Sequence, residues 1–303
     1  MPTSVSRPKR LLVTGGRGRL APLIADHFRA PTHETALYTR GGGPGLRDLT
    51  RLLNPDEFVA GDVILHLAWS TLPATAEQSP GLEQKHDLPW LEKLLQAIAA
   101  RPAATRPHLI FFSSGGAIYG NAPGRPNRET DECRPIGRYG QAKLAAEKLI
   151  VTAASQHELP CTILRIANPY GYPVPSGRLQ GIIPHAISAA VEGRPLAIWG
   201  DGNARKDFIH YTDFLSALQV VIDRRLTGVF NLCAGESHSV REILALVGRH
   251  TGRIISTTTS PASAWDVQDS RLDNGRFAEA TGWQPQVSLD EGIRRSTAGY
   301  LRH

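Results

Sequence analysis

Apolar residues fall along this chain in two alternating rhythms: short aliphatic and β-branched runs, and longer stretches with helical spacing. Runs at 11–14, 35–39, 63–68, 109–113, 162–166 and 229–232 predict strands, and several are apolar at nearly every position rather than at every second one. Unbroken apolar runs suit strands buried on both faces. Spacings of three and four residues predict helices over 19–30, 90–100, 139–157, 182–192, 212–224, 239–251 and 289–301. Parallel strands need crossovers of a dozen or more residues, which these helices supply. The pattern therefore predicts an α/β fold built on a doubly wound parallel sheet.

The rhythm is regular up to Ala167 and breaks at Asn168-Pro-Tyr-Gly-Tyr-Pro-Val-Pro-Ser-Gly177, where Gly and Pro punctuate shorter elements. The expected division is a main domain of 1–167 with parts of 205–235, and a smaller C-terminal lobe of 168–204 and 236–303.

Composition narrows the function classes. Of 303 residues, 41% are hydrophobic and 20% charged, which is ordinary for a globular protein. There is no apolar run of about 18 residues, and residues 1–10 are basic without the apolar stretch of a secretory leader, so a cytoplasmic protein without a membrane segment is expected. Cys133, Cys161 and Cys233 form no C-x-x-C pair, which argues against a disulfide framework or a metal site; Cys161 and Cys233 lie in apolar runs and read as buried packing residues. The net charge is +6, but the arginines are scattered, so no nucleic-acid partner is expected. An anionic small substrate suits the same balance.

Three stretches carry candidate chemistry. In Leu11-Leu-Val-Thr-Gly-Gly-Arg-Gly-Arg-Leu-Ala21 a strand runs through a glycine turn into a helix. Gly15 permits the tight turn, Gly18 lets a pyrophosphate approach, and Ala21 allows close helix–strand packing, as in a Rossmann dinucleotide site. The helix N-terminus then offers N–H groups to phosphate, so Gly15, Arg17, Gly18, Arg19 and Leu20 are cofactor-binding candidates. Tyr139-Gly-Gln-Ala-Lys143 places a phenol and an ammonium on one helix face. A nearby positive charge favours phenolate and turns a tyrosine of pKa near 10 into an acid/base usable around neutral pH. Between the two lies Phe111-Phe-Ser-Ser-Gly-Gly-Ala-Ile-Tyr-Gly120, with Ser113 and Ser114 at the carboxyl end of a strand, where ligands bind in such sheets. Ser114 is the candidate to hydrogen-bond a substrate oxygen.

With these residues the chain resembles the extended short-chain dehydrogenase/reductases, the NAD-dependent epimerase/dehydratase family. Further matching pieces follow in order: Asp62-Val-Ile-Leu-His-Leu-Ala68, Leu164-Arg-Ile-Ala-Asn-Pro-Tyr-Gly171, Ile198-Trp-Gly-Asp-Gly202, Lys206-Asp-Phe-Ile-His210 and Thr281-Gly-Trp-Gln-Pro285. The resemblance implies a Rossmann domain with a smaller C-terminal substrate-binding lobe. It makes Tyr139 the catalytic acid/base and Lys143 the lysine that lowers its pKa and holds the nicotinamide ribose. It also implies cofactor contacts at Leu67, Ala68 and Tyr170, a substrate-diphosphate contact at Asn168, and Lys206 where the family usually has a diphosphate-binding arginine. The implied reaction takes a proton from a sugar hydroxyl, commonly at C4, onto Tyr139 while the carbon gives hydride to the cofactor; the reverse steps reduce the ketone. A homodimer built on the helices over 90–100 and 139–157 is implied as well.

Four departures bear on the subtype. Gly115 stands where the family has a catalytic Ser or Thr, so Ser114 or a water takes over that hydrogen bond. Gly116 and Ala117 stand where sugar-nucleotide dehydratases have an Asp-Glu pair, which argues against dehydration. Thr39 and Arg40 end the second strand in place of an acidic residue that would bind the adenosine ribose; with Arg17 they lean the expected cofactor to NADP over NAD. Ser263 replaces an arginine that grips the substrate diphosphate three residues before an aspartate, here Asp266. His66 reads as a packed histidine near the cofactor, and Asp201 as a turn residue. The expected function is a nucleotide-sugar 4-epimerase-type oxidoreductase, with an NADPH-dependent 4-keto-sugar-nucleotide reductase as the alternative. A non-catalytic dinucleotide-binding protein is a third reading, motivated by Gly115 and Ser263.

Overall fold

The computed structural model describes residues 8–122, 124–173 and 179–300. Its twelve strands are β1 (Lys9–Thr14), β2 (His33–Thr39), β3 (Arg47–Asp48), β4 (Val63–His66), β5 (His108–Ser114), β6 (Cys161–Ile166), β7 (Asn168–Tyr170), β8 (Leu196–Trp199), β9 (Arg205–His210), β10 (Gly228–Leu232), β11 (Ser237–Ser239) and β12 (Thr257–Ser260). Seven of them form one sheet in the order β10-β6-β5-β4-β1-β2-β3. The β1–β2, β1–β4 and β4–β5 pairs are parallel, with Leu11 opposite Thr35 and Val63, and Val63 opposite His108. From β1 the chain passes to β2 and β3 on one side of it and then crosses back to β4 on its other side, which makes the doubly wound arrangement. Each of the six expected strands is present in this sheet. Their continuous apolar runs are explained by burial: every residue of β4 and of β6 is buried.

Helix bounds follow the expected periodicity with one clear difference. The helix expected from residue 90 spans Leu82–Ala99 and runs through Pro89. An interior proline costs about 3 kcal/mol because it removes a hydrogen bond and crowds the preceding turn. Leu91, Leu94, Leu95 and Ile98 are buried along this helix, and burying such side chains, at about 1.5–3 kcal/mol each, outweighs that cost. By contrast, helix Val240–Thr251 starts where its sequence says it should. Ser239 Oγ accepts from the Glu242 N–H, and the Glu242 carboxylate accepts in return from the Ser239 N–H at 2.7 Å, a reciprocal cap.

The chain forms two compact units. The first takes residues up to 113, 142–164 and 224–228; the second takes 114–141, 165–223 and 229–303. Relative to the division expected from sequence, residues 114–141 join the second unit. The second unit contains two small sheets, β11-β9-β7 and β12-β8. Its core gathers Ile183, Ile187, Leu196, Ile243, Val247, Leu289 and Ile293 with Tyr170 and Phe208. Cys161 and Cys233 are buried as expected. Among the described residues, no helix is long and apolar enough to cross a membrane.

Candidate active site

In the first unit, β1 ends at Thr14 and the chain turns at Gly15 with φ +77°, a region open to glycine and strained for other residues. A Cβ there would come within 3.0 Å of Ala68 N, so the turn and the segment after β4 pack backbone to backbone. A Cβ on Gly18 would lie 2.9 Å from Gly15 O. Thr14 Oγ1 clamps the arrangement by accepting from the N–H groups of Leu67 and Ala68 at 3.1 and 3.0 Å. Gly15, Gly18, Leu67 and Ala68 are thereby brought together. Helix Leu20–His27 follows, and no side chain caps its first turn, which leaves N–H groups of the kind that bind phosphate.

Arg17 and Arg40, expected near the cofactor, are ordered by their own contacts. Arg17 donates to Gly42 O at 2.9 Å, tying the glycine turn to the loop after β2. Thr39 ends β2, and the exposed Arg40 donates to Ser70 Oγ at 3.2 Å. His66 is buried, pairs its Nδ1 with Thr14 Oγ1 at 2.8 Å and stacks on Trp90. Burial pushes its pKa down to about 3, so it is a neutral packing group, as its place in an apolar run indicates.

Lys143 belongs to helix Arg138–His157 and is 3% exposed. Its ammonium donates to Phe112 O at 2.9 Å and lies 3.8 Å from the centre of the Trp69 ring. Burial pushes its pKa down to about 7, against the opposing pull of Asp87, Glu147 and Glu83. An ammonium that is half-charged near neutrality is sensitive to every group around it.

In the second unit, Ser114 ends β5 and leads into the short helix Gly115–Ile118 without capping it, which leaves its half-buried hydroxyl outside the helix's own hydrogen bonds. A side chain at Gly115 fits only if Leu272 shifts. A Cβ would collide with Leu272 Cδ1 and lie 3.0 Å from Arg165 O. The space beside Gly115 is thus taken by a leucine side chain reaching in from a distant segment. Gly116 differs: a Cβ there would meet only ordinary contacts, with the Asn168 amide at 3.6 Å. Gly140 abuts the carbonyl of Ala117 so closely that no side chain fits, and this contact sets the first turn of helix Arg138–His157, with Tyr139, against the Ser114–Ala117 turn. Lys143 follows Tyr139 by one helical turn.

Three expected ligand-binding residues take other roles for their side chains. Tyr170 is 4% exposed, packs edge-on against Phe208 and His210, and donates to Ser288 O at 3.4 Å. Its phenol is part of the core and is held above the ordinary tyrosine pKa by burial, so only its main chain is available to a cofactor. Lys206 is paired with Asp266 at 2.9 Å and also donates to Val267 O, so its charge is matched within the protein. Asn168 is exposed and donates to Asp207 O at 2.9 Å, which leaves its amide oxygen for other contacts. Asp201 accepts from Asn203 N in a turn, as expected. Sequence reasoning missed Leu272 and Trp69, because neither lies in a motif and each meets its partner only through the fold.

A profile of the NAD dependent epimerase/dehydratase family matches residues 11–233. The chain belongs to that family. It is 28% identical over 306 residues to a UDP-glucose 4-epimerase of Mycolicibacterium smegmatis, covering 95% of this chain and 97% of the relative. A dTDP-6-deoxy-L-talose 4-dehydrogenase (NAD(P)+) of Kitasatospora kifunensis is also 28% identical, with 94% of this chain and 88% of that protein aligned. Among solved structures, the Thermus thermophilus UDP-glucose 4-epimerase in complex with NAD superimposes with a TM-score of 0.84 at 25% identity, over 96% of this chain and 99% of that one. Membership of the epimerase/dehydratase family makes the protein an enzyme of the extended short-chain dehydrogenase/reductase kind.

Proposed function

We propose that this enzyme is an NAD(P)-dependent nucleotide-sugar epimerase-type oxidoreductase acting at a sugar carbinol carbon, C4 of a nucleoside-diphosphate hexose. The observation that carries the reading is helix Arg138–His157, which sets Tyr139 against the Ser114–Ala117 turn and carries Lys143 one turn further on. The glycine cradle of Gly15 and Gly18, which side chains would fill, and the uncapped helix behind it fit a dinucleotide pyrophosphate. When bound, the nicotinamide supplies a hydride acceptor that can return the hydride. Tyr139 takes the carbinol proton as phenolate and gives it back after the sugar has presented its other face; the Lys143 charge favours that phenolate. Ser114 hydrogen-bonds the reacting oxygen in place of residue 115, and Asn168 contacts the substrate diphosphate. Lys206 reaches a phosphate only by exchanging Asp266 for it.

Arg40 and Arg17 support NADP over NAD, since guanidinium groups suit a 2′-phosphate. The same two residues favour a second reading, an NADPH-dependent 4-keto-sugar-nucleotide reductase, which the relative named as an NAD(P)+ 4-dehydrogenase also supports. We take the enzyme to work in the cytoplasm as a homodimer joined through helices Leu82–Ala99 and Arg138–His157; Val151, 53% exposed on the latter, supports such a contact. Denaturing the purified protein and identifying any released nicotinamide, then assaying NADPH oxidation with 4-keto sugar nucleotides, separates the two reactions. Stoichiometric bound cofactor without net oxidation supports the epimerase and refutes the reductase. The Tyr139→Phe variant should lose at least about 100-fold in turnover, and parental turnover in that variant would discredit the assignment.

A further inference from the structure

The segment after β4 is anchored on both sides of Trp69. Thr14 Oγ1 accepts from Leu67 and Ala68 on one side; on the other, the Asp87 carboxylate accepts from the N–H and the hydroxyl of Ser70 at 3.0 and 2.8 Å. Between these anchors the Trp69 ring centre sits 3.8 Å from Lys143 Nζ, with the Phe111 ring at 4.7 Å and Phe112 O at 2.9 Å. The indole N–H of Trp69 is buried and has no hydrogen-bond partner among the described residues. Buried tryptophans ordinarily use that N–H. Here the ring is placed by its edge-on contact with Phe111 and by its face toward the ammonium, not by its polar atom.

We propose that Trp69 is a positioning residue for Lys143, its indole face fixing the ammonium in place and in its charged form. An ammonium taken out of water is driven to lose its proton. The groups opposing this are Asp87 and Glu83 on helix Leu82–Ala99 and Glu147 on the lysine's own helix, while His66 on β4 is neutral. A π face adds negative potential next to the ammonium without the desolvation cost that a fourth carboxylate would carry. The inference rests on the proposed function for its consequence, the phenolate at Tyr139, but not for its geometry, which lies within the first unit.

The test reads the lysine directly in cofactor-free protein. The chain has six lysines, so 13Cε-lysine labelling gives a short NMR spectrum, and Lys143→Arg identifies the Lys143 signal. Its titration midpoint is expected near neutrality in the parent. Trp69→Leu keeps an apolar wall and removes the face: the midpoint should fall by about one pH unit, cutting the charged fraction about tenfold at pH 8. The alkaline limb of the kcat/KM profile should move with it, while Trp69→Phe restores both. Should Trp69→Leu fail to fold, fluorinated tryptophans, which drain electron density from the ring with little change in shape, should lower the midpoint stepwise. An unchanged midpoint in either experiment overturns the proposal. Parental turnover in Tyr139→Phe overturns the functional reading instead and leaves the lysine titration unaffected.

Discussion

Gly115 and Leu272 are far apart in sequence and share one volume, so substitutions at the two positions should be strongly non-additive. Leu272 is fully buried, and truncation to alanine leaves a cavity; such changes cost about 2–5 kcal/mol. Gly115→Ser alone drives its Cβ into Leu272 Cδ1, with Arg165 O at 3.0 Å blocking retreat, and overpacking of this kind costs about 1–3 kcal/mol. Leu272→Ala clears the clash, and the serine refills part of the cavity. The double variant should therefore be more stable than the sum of the single changes by about 1–3 kcal/mol, the range found for residues in contact. Urea unfolding of the parent, both single variants and the double variant, with m-values checked for constancy, measures this coupling. The double variant also restores a hydroxyl at position 115, so its kcat should exceed that of Leu272→Ala. Additivity within about 0.5 kcal/mol would mean that Leu272 does not occupy the missing side chain's space, and the account of Gly115 would fall.

Two further outcomes follow from the first unit. Because the Lys143 pKa is pushed down to about 7 in the folded chain, the unfolded chain binds more protons between about pH 7 and 10.5, and this lysine makes stability rise with pH across that window. Lys143→Met should flatten the rise in urea midpoint between pH 7 and 9; an equally steep rise in the variant would show that the lysine is not desolvated. Arg40→Ala should raise the Kd for NADPH about tenfold or more with little change for NADH, measured by fluorescence titration, and equal effects on both would exclude Arg40 as a 2′-phosphate ligand.

The large sheet is readable from the chain because strands buried on both faces leave continuous apolar runs, and helix Leu82–Ala99 departs from its sequence pattern only where Pro89 imitates a boundary. The turn at Gly15 and the helix that carries Tyr139 and Lys143 are equally legible, since a glycine turn and an i, i+4 pair are local patterns whose geometry the backbone dictates. Side-chain environments are not. Tyr170 sits in a motif that pointed to cofactor, yet its phenol packs into the core near Ser288. Lys206 is a cation in sequence and half of an ion pair with Asp266 in space.

Local patterning, then, is sufficient for the fold class, for a glycine turn between β1 and the helix after it, and for a tyrosine and a lysine one turn apart on one helix, because each depends on residues that are neighbours along the chain. Tertiary contact alone decided that Leu272 fills the space beside Gly115, that Asp266 occupies Lys206, and that Lys143 lies under the Trp69 ring. Those outcomes depend on which distant side chains compete for one buried volume or one charge, and that competition exists only once the chain has packed.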